Sequence, residues 1–397
     1  MNVLISGAGI AGPALAYWLH RCGIRSTIVE LAAEPRPGGQ TIDIRGIAKD
    51  VVERMGLLPA IRERQLHERG FAYVDADGRR QAEMNVESLG DAGPVAEIEL
   101  LRGDLAEILL EATRDDVEYL YGDSITGLTE TADGVLVTFK HAPARTFDLV
   151  VGADGVHSRV RALAFGPESS FVTPLGGYMG YFTIPAPVDL DGWMTVHSAP
   201  GGLWVALRPD HDPLQARALL GFRSTSLTYD RRQDQRQLLA ETFKDVGWVT
   251  PQILAALPEA DDLYFDSVGQ VAVPQWSRGR VVLLGDAGYC GSPLAGHGTA
   301  LALVGAYVLA GELAAHDDHV DAFAAYQREL APYVKQRTAL PPGGLKAAMP
   351  MSRTGIRLRN TMTRLLMAWP FRAAMAKEMA KPDAITLKDY PASRAIR

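Results

Sequence analysis

Three glycines near the start of the chain have the spacing of a phosphate-binding turn. Gly7, Gly9 and Gly12 form the pattern G-x-G-x-x-G. The first glycine permits a tight turn, the second lets the backbone approach a pyrophosphate, and the third lets a helix pack against a sheet. Glu30 comes 18 residues after Gly12, where a ribose hydroxyl needs an acceptor. A carboxylate there favours a free 2′-hydroxyl, as in FAD or NAD, and repels the 2′-phosphate of NADP.

The residues around this turn predict the elements that would position it. An apolar strand over residues 3–5 precedes the turn, a helix over 14–22 follows it, and a second strand over 26–30 ends at Glu30. The N-terminus of that helix would present unpaired N–H groups to phosphates. A glycine turn can also serve only to join a strand to a helix. The order of strand, turn, helix, strand and acid favours dinucleotide binding over this simpler alternative.

Two later stretches repeat the pattern of a buried strand that ends in glycine and aspartate. The apolar run 149–151 leads to Gly152-Ala153-Asp154-Gly155, and the run 281–284 leads to Gly285-Asp286. Both runs are typical of strands buried in a parallel sheet. Gly296 and Gly298 then stand at the start of an apolar helix predicted over 299–313. The first N–H groups of that helix could face a ligand carbonyl or an anion.

Residues 170–275 differ in character, because strand-like segments dominate them. We expect an antiparallel sheet in a second lobe, interrupted by a helix over 230–245. Met179, Tyr181 and Phe222 alternate with other residues on these strands, so they either line an apolar pocket or pack the core.

Local signals predict several turns and helix ends. Asp77-Gly78 and Asp133-Gly134 are typical of hairpin turns. Gly56 indicates a break in a helix over 47–66, and Gly103 or Asp104 is expected to lie near the N-cap of a helix that continues to residue 110.

The C-terminal part, 320–380, is predicted to be mostly helical. Its segment 353–379 is basic and amphipathic, with apolar residues such as Met362, Leu365, Trp369 and Phe371. Such a helix can lie on a membrane surface. We favour the alternative that its apolar side docks across the two lobes.

Composition narrows the class of protein. The chain has 397 residues, 47% hydrophobic and 22% charged, with a net charge of −7, which indicates a large globular core and no nucleic-acid footprint. Cys22 and Cys290 are too few for a disulfide framework or a zinc site. Neither a signal peptide nor an apolar run of about 18 residues is evident, so we expect a cytoplasmic protein without a membrane span.

The three motifs together resemble the class A flavin-dependent aromatic monooxygenases of the para-hydroxybenzoate hydroxylase type, over residues 1 to about 340. The segments 38–43 and 101–105 look particularly similar to the tetracycline-inactivating monooxygenases. The resemblance implies an α/β fold, with a Rossmann-like FAD-binding domain, an antiparallel β-sheet substrate domain and a C-terminal bridging helix. The implied boundaries are 1–70, 98–168 and 277–340 for the FAD domain, 71–97 and 169–276 for the substrate domain, and 341–397 for the C-terminal helical segment.

The resemblance also implies site residues. The predicted FAD-binding residues are Gly7, Gly9, Ala11, Gly12, Glu30, Arg36, Asp43, Arg102, Asp154, Asp286, Pro293, Gly296 and Gly298. The predicted substrate-pocket residues are Met179, Tyr181, Phe222 and Pro293. Without the resemblance, Arg102 would be interpreted as a solvated surface arginine. Where the family usually has glutamine or leucine between two glycines, this chain has His297.

The implied chemistry is carried by FAD rather than by side chains. NADPH would reduce the flavin during a transient visit, O₂ would add to give a flavin hydroperoxide, and one oxygen atom would pass to an aromatic or polyketide-like substrate. No catalytic side chain and no metal are predicted, and we expect a monomer or a weak homodimer. His297 is a general base or, as we favour, a hydrogen-bonded scaffold residue, and Cys290 is a redox-active or an inert thiol. The alternatives are an FAD oxidase or dehydrogenase of the same fold and a non-catalytic flavin-binding sensor.

Overall fold

The structure is a computed structural model, and it describes residues 1–35, 38–86, 96–224, 234–368, 371 and 382–390. The strands are β1 (Asn2–Ser6), β2 (Arg25–Glu30), β3 (Thr41–Asp43), β4 (Gly70–Val74), β5 (Arg80–Asn85), β6 (Glu99–Leu101), β7 (Glu118–Tyr121), β8 (Ile125–Thr131), β9 (Gly134–Phe139), β10 (Arg145–Phe147), β11 (Leu149–Gly152), β12 (Val172–Pro185), β13 (Trp193–Ala199), β14 (Leu203–Pro209), β15 (Gln215–Arg223), β16 (Tyr264–Val271), β17 (Ser277–Arg278) and β18 (Val281–Leu283). The helices are α1 (Ala11–Arg21), α2 (Ile47–Arg54), α3 (Leu58–Glu63), α4 (Arg102–Glu111), α5 (Arg159–Ala164), α6 (Gln235–Phe243), α7 (Thr250–Ala256), α8 (Gly298–Ala315), α9 (His319–Arg337), α10 (Gly344–Ala348) and α11 (Arg353–Met367).

A six-stranded sheet carries the three glycine-containing motifs. Its strand order is β17-β18-β11-β1-β2-β7, and every neighbouring pair except β17 with β18 is parallel. The apolar side chains of β1 and β11 are buried, as expected for parallel strands. Because β1, β11 and β18 are neighbours that run in the same direction, the turns after all three leave the sheet at the same edge.

A seven-stranded sheet forms the second layer of the molecule, in the order β16-β12-β15-β14-β13-β4-β5. The expected antiparallel pairing holds at five of the six junctions, whereas β13 and β4 are parallel. The sequence contains no hairpin signal for the pairing of β13 with β4, because the two strands are far apart in the chain. The residues between them include strands of the six-stranded sheet. A connection of that length imposes no antiparallel direction.

Helices α6 and α7 cover one face of the seven-stranded sheet. The Phe222 ring lies on this face, with its centroid 5.4 Å from Tyr178 and 6.3 Å from Phe265, and Phe243 of α6 packs edge-on against it. Side chains of a strand alternate between faces, so Met179 and Tyr181, whose cross-strand partners are Gly221 and Leu219, point to the opposite face.

The predicted helix break and the two predicted hairpin turns are confirmed. Gly56 separates α2 from α3, and both hairpins turn at their Asp-Gly pairs. Gly103 and Asp104 lie in the first turn of α4, near its N-cap residue Leu101, as predicted, and no side chain caps the helix. The backbone N–H groups of Arg102 and Gly103 instead donate to the carbonyl oxygens of Gln40 and Gly38, at 3.0 and 2.7 Å.

The C-terminal part makes two separate sets of contacts. Helix α11 packs on β5 and β13, and Arg359 donates to Ser198 Oγ at 3.0 Å. Segment 382–390 instead lies on the helices of the six-stranded sheet, where Tyr390 and Lys388 both bind the buried carboxylate of Glu312. We expected the apolar side of α11 to dock across the two lobes, whereas the side chains of Leu358, Met362, Leu365 and Leu366 are exposed.

Helix α8 is the centre of the core. Within the described residues it is the one helix long and apolar enough to cross a membrane, and most of it is buried against other elements of the protein. The same length and composition are found in core helices, and the packing of α8 against α1, α2 and α9 gives it that role.

Candidate functional site

The three motifs converge at one edge of the six-stranded sheet. A Cβ atom added at Gly7 would lie 2.5 Å from the carbonyl oxygen of Ala153, so the first two turns are in contact. A Cβ atom at Gly285 would lie 3.4 Å from that of Ala11, which places the third turn against the start of α1. The sequence separated these motifs by more than 100 residues, and parallel pairing of their strands brings them together.

The N-terminal glycines form a turn with no room for side chains. Gly7 has a φ of +107°, a conformation open mainly to glycine. A Cβ atom at Gly12 would overlap the carbonyl oxygen of Gly7, and one at Gly9 would lie 2.9 Å from Nη2 of Arg102. The turn is therefore a bare backbone surface with a guanidinium group beside it, which is the chemistry that a pyrophosphate requires.

Two of the predicted acids hold the loops of this site in place. Glu30 accepts hydrogen bonds from the backbone N–H groups of Ala8 and Ala32, both at 2.8 Å. Asp154 accepts from the N–H groups of Arg159 and Val160, at 2.8 and 3.1 Å, and so holds the first turn of α5. Burial raises the pKa of Asp154, although hydrogen bonds from Ser158 and the backbone oppose this. Each acid thus shapes a turn as well as carrying charge.

Asp286 differs from these acids because one of its oxygens lacks a partner. Its Oδ1 atom is buried and accepts no hydrogen bond from the described residues, and a Cβ atom at Gly298 would lie 3.8 Å from it. Burial raises the pKa of Asp286, while a hydrogen bond from Cys290 and the charge of Arg102 lower it. A buried acceptor without a donor is costly, so a ligand hydroxyl is the natural partner for this carboxyl group.

A buried cluster of charges joins strands β3 and β6, which pair with each other, to the seven-stranded sheet next to this site. Arg208 of β14 donates to Glu68 at 3.0 Å and to Glu99 of β6 at 2.6 Å. Asp43 pairs with Arg45 at 2.5 Å, and burial raises the pKa of Asp43 to about 6 despite that arginine. Apart from Asp43, sequence reasoning missed this cluster, because its members come from four separate stretches of chain.

The face of the seven-stranded sheet away from α6 and α7 carries the apolar surface nearest the site. Met179 and Tyr181 lie on it, and Tyr181 donates to Met179 Sδ at 3.1 Å. The sequence did not single out the other residues of this surface, although Trp204 follows the same alternation. They are Trp204, Leu294, Leu345 and Met349. Phe222 does not belong to it, because it is a core residue on the opposite face, and Pro293 is exposed beside Leu294.

A small cavity opens where segment 39–41 meets the seven-stranded sheet. Tyr181, Tyr264, Arg217 and Asp262 line its polar side. Arg217 pairs with Asp210 at 2.5 Å, and a Cβ atom at Gly38 would lie 2.9 Å from its Nη1. Sequence reasoning missed the last three lining residues, because no motif marks them. Arg36, which was predicted to bind the cofactor, lies outside the described residues.

Burial shifts the pKa values of both His297 and Cys290. Burial, Arg337 and Arg45 lower the pKa of His297 to about 4, so it is a neutral and weak base, and its Nε2 lies 3.5 Å from Arg337 Nη1. Burial raises the pKa of Cys290, which keeps it a thiol rather than a reactive thiolate.

His157, three residues after Asp154, links the two sheets through two carboxylates. Its Nδ1 lies 3.0 Å from Glu168 and its Nε2 2.8 Å from Asp266 of β16. The hydrogen bond to Asp266 is the main cause that raises the pKa of His157, against the effect of burial. Because the folded-state pKa is raised, the stability from this bridge is present below the unfolded value of about 6.5 and is lost as the pH rises through the folded value.

We therefore expect His157→Gln to destabilise the protein by about 1 kcal/mol near pH 6. Urea unfolding near pH 6 and near pH 9 measures this difference, which should shrink at the higher pH. A difference that stays constant with pH would show that the imidazolium charge contributes nothing.

Comparison with known proteins shows the family to which this chain belongs. A sequence profile of the FAD binding domain family matches residues 1–340. The uncharacterized protein Rv1260 of Mycobacterium tuberculosis is 47% identical over 358 residues, covering 88% of this chain and 95% of that protein. A flavin-dependent monooxygenase of Legionella longbeachae is 41% identical over 337 residues, covering 84% and 86%. The crystal structure of tetracycline destructase Tet(55) matches with a TM-score of 0.80 and 36% identity, covering 98% of both chains.

The chain therefore belongs to the FAD binding domain family, and flavin-dependent monooxygenases are among its relatives. The predicted resemblance to class A flavin-dependent monooxygenases and the predicted α/β fold are both confirmed.

Proposed function

We propose that this chain is an FAD-dependent monooxygenase that hydroxylates a planar aromatic or polyketide-like molecule, with a tetracycline-type compound as the first candidate. Reduced FAD, when bound, supplies the activation of O₂ and the transfer of one oxygen atom. The observation that carries the proposal is the full-length match to a tetracycline destructase at 36% identity, with 98% of both chains covered.

The residues at the edge of the six-stranded sheet fit FAD. The bare turn formed by Gly7, Gly9 and Gly12 would hold the pyrophosphate with Arg102 beside it, and Glu30 would accept from the adenosine ribose. Asp286, whose Oδ1 has no donor among the described residues, would accept from a ribitol hydroxyl. Ala11, Asp43, Asp154, Pro293, Gly296 and Gly298 complete the proposed site, together with Arg36.

The protein's own part in the reaction is to orient the substrate and exclude water. The apolar surface of Met179, Trp204, Leu294 and Met349 would contact a planar ring system and keep the reacting atoms dry. The N–H groups at the start of α8 would stabilise negative charge on the reduced cofactor. With a pKa of about 4, His297 stays neutral and adds no charge there.

We infer that NADPH or NADH is the electron donor and binds transiently. The sequence has one G-x-G-x-x-G pattern. The acid that follows it, Glu30, is the residue to which we assign the FAD ribose. A donor without its own glycine turn would have to dock on the surface, deliver a hydride and leave.

A screen of ligand-stimulated NADPH and NADH consumption tests the proposal. Purified, FAD-loaded protein is mixed with tetracyclines and simple phenols, and consumption is followed with peroxide release and product mass. We expect consumption to rise with a tetracycline or a related planar ligand, and the product to gain one oxygen atom. Peroxide as the sole product with every ligand would instead indicate an oxidase, and no consumption at all would indicate a flavin-binding sensor.

Asp286→Ala tests the cofactor site itself. The variant loses the buried acceptor, so we expect FAD affinity to fall by at least tenfold, the factor for one hydrogen bond to a charged group. The ratio of flavin to protein absorbance after purification measures the loss. Asp321→Ala removes an exposed acid from the first turn of α9 and should keep full FAD. A full load of FAD in Asp286→Ala would refute the assigned role.

A further inference from the structure

Helix α11 packs with its polar side inward and its apolar side outward. On the inner side, Asn360 is buried, and the Arg359 guanidinium group lies 3.8 Å from the centre of the Tyr73 ring. Arg359 also donates to the carbonyl oxygen of Ala348 at 2.9 Å. A surface helix normally buries its apolar stripe against the core, so this orientation leaves the stripe for another partner.

The outer side is a continuous apolar stripe. Leu358, Met362 and Leu365 follow one another at the i, i+4 and i+7 positions that align on a helix, and they are 62%, 48% and 54% exposed. Leu366 and Phe371 extend the stripe and are 41% and 59% exposed. We call Leu358, Met362, Leu365, Leu366 and Phe371 the outer stripe.

Positively charged side chains lie along one side of the outer stripe. The sequence from 338 to 377 contains no aspartate or glutamate, and its seven charged side chains are Lys346, Arg353, Arg357, Arg359, Arg364, Arg372 and Lys377. The whole chain has a net charge of −7, so the basic segment is a local reversal of charge. At 100° per residue, Arg353, Arg357 and Arg364 lie along one side of the outer stripe, and all three are exposed.

From this placement we propose that α11 docks on an anionic lipid bilayer, with the outer stripe in the interface and the three arginines on the headgroups. An exposed apolar stripe beside arginines without acids is the pattern of a helix that lies in a membrane interface. A second copy of the chain is a poorer occupant, because two such helices would bring their arginines together. The proposal reverses our expectation from the sequence that no membrane is involved, and it does not depend on the chemistry at the FAD site.

Docking through α11 also has a consequence for the apolar surface of the candidate site. Arg359 of α11 holds the Ala348 carbonyl, and the next residue, Met349, lies on that surface against Gly221 of β15. The bilayer would therefore lie close to the place where a planar substrate binds, and an apolar substrate could enter from it.

Vesicle co-sedimentation of the full-length, FAD-loaded protein tests the proposal. The vesicles contain phosphatidylcholine with or without phosphatidylglycerol, at low and at molar salt. We expect sedimentation with the phosphatidylglycerol vesicles at low salt, and little with phosphatidylcholine alone or at high salt. Arg357→Gln and Arg364→Gln should each weaken binding by about fivefold.

The decisive variant is L358Q/M362Q/L365Q, which removes the apolar contacts without touching the inner side of α11. We expect at least a tenfold loss of vesicle binding. The matched control is L214Q/V320Q, which changes one leucine and one valine outside α11 that are 77% and 57% exposed. This control should bind vesicles like the unmodified protein. Both variants should retain FAD, which shows that they fold.

Three results would overturn the proposal. The first is equal vesicle binding by the triple variant and its control, and the second is no binding to phosphatidylglycerol vesicles by the unmodified protein. The third is a dimer of the unmodified protein in analytical ultracentrifugation that the triple variant converts to a monomer, which would assign the outer stripe to a second copy.

Discussion

Replacing Gly12 by alanine is expected to weaken FAD binding about a hundredfold. The added Cβ atom would overlap the carbonyl oxygen of Gly7, and because that oxygen belongs to the backbone, no side-chain rotation can relieve the clash. Helix α1 must move away from the turn, which then loses the shape that fits a pyrophosphate. Overpacking of about 3 kcal/mol corresponds to roughly a hundredfold loss of affinity. Titration of FAD into the apoprotein, followed by flavin fluorescence, measures it.

Gly56→Ala is the matched control for this prediction. Gly56 also has a positive φ, +75°, but a Cβ atom there would meet no other atom within 4 Å. The same chemical change should therefore cost about 1 kcal/mol of stability through backbone strain alone, and FAD affinity should stay unchanged. If Gly12→Ala bound FAD as tightly as Gly56→Ala, the turn would not be the pyrophosphate site.

Replacing Arg208 by methionine is expected to have the largest effect on stability. Arg208 lies between Glu68 and Glu99, whose side chains are 0% and 2% exposed. Burial lowers the pKa of Arg208, but the two glutamates outweigh this and raise it. Removing the cation leaves two buried carboxylates without the arginine that pairs with both, which costs about 3–5 kcal/mol. That is a large part of the roughly 5–15 kcal/mol that stabilises a typical domain, and urea unfolding measures it.

The pH dependence of this loss identifies its cause. Burial already raises the pKa of Glu99, with Arg208 opposing it, and in the variant this opposition is gone. A carboxyl group with a raised folded-state pKa destabilises the protein above its unfolded value of about 4.3, and the penalty disappears as the pH falls through the folded value. The gap between Arg208→Met and the unmodified protein should therefore narrow on acidification.

An exposed pair provides the comparison. Arg69 pairs with Asp191 at 2.6 Å, but both side chains are more than half exposed, so Arg69→Met should change stability by less than about 1 kcal/mol. Similar losses of unfolding free energy for Arg208→Met and Arg69→Met would mean that the charge cluster does not stabilise the contact between β6 and the seven-stranded sheet.

Much of the candidate cofactor site could be predicted because its signals are local. The glycine spacing, the strand before it and the acid at residue 30 all fall within the first thirty residues. The glycines report a backbone constraint that glycine alone satisfies. The predicted helix breaks and hairpins rest on the same kind of constraint, as at Gly56. The hydrogen bonds at the start of α4 could not be predicted, because a distant backbone segment, not a neighbouring side chain, satisfies its first N–H groups.

The sequence by itself determined the nucleotide-binding unit and the class of fold, because turn geometry and strand burial are written into residues a few positions apart. Tertiary structure alone decided that Phe222 and Met179 lie on opposite faces of the seven-stranded sheet, that Arg208 joins Glu68 to Glu99, and that α11 turns its leucines outward. These outcomes depend on which distant element covers each face of a strand or helix. That choice is made by the packing of the whole chain.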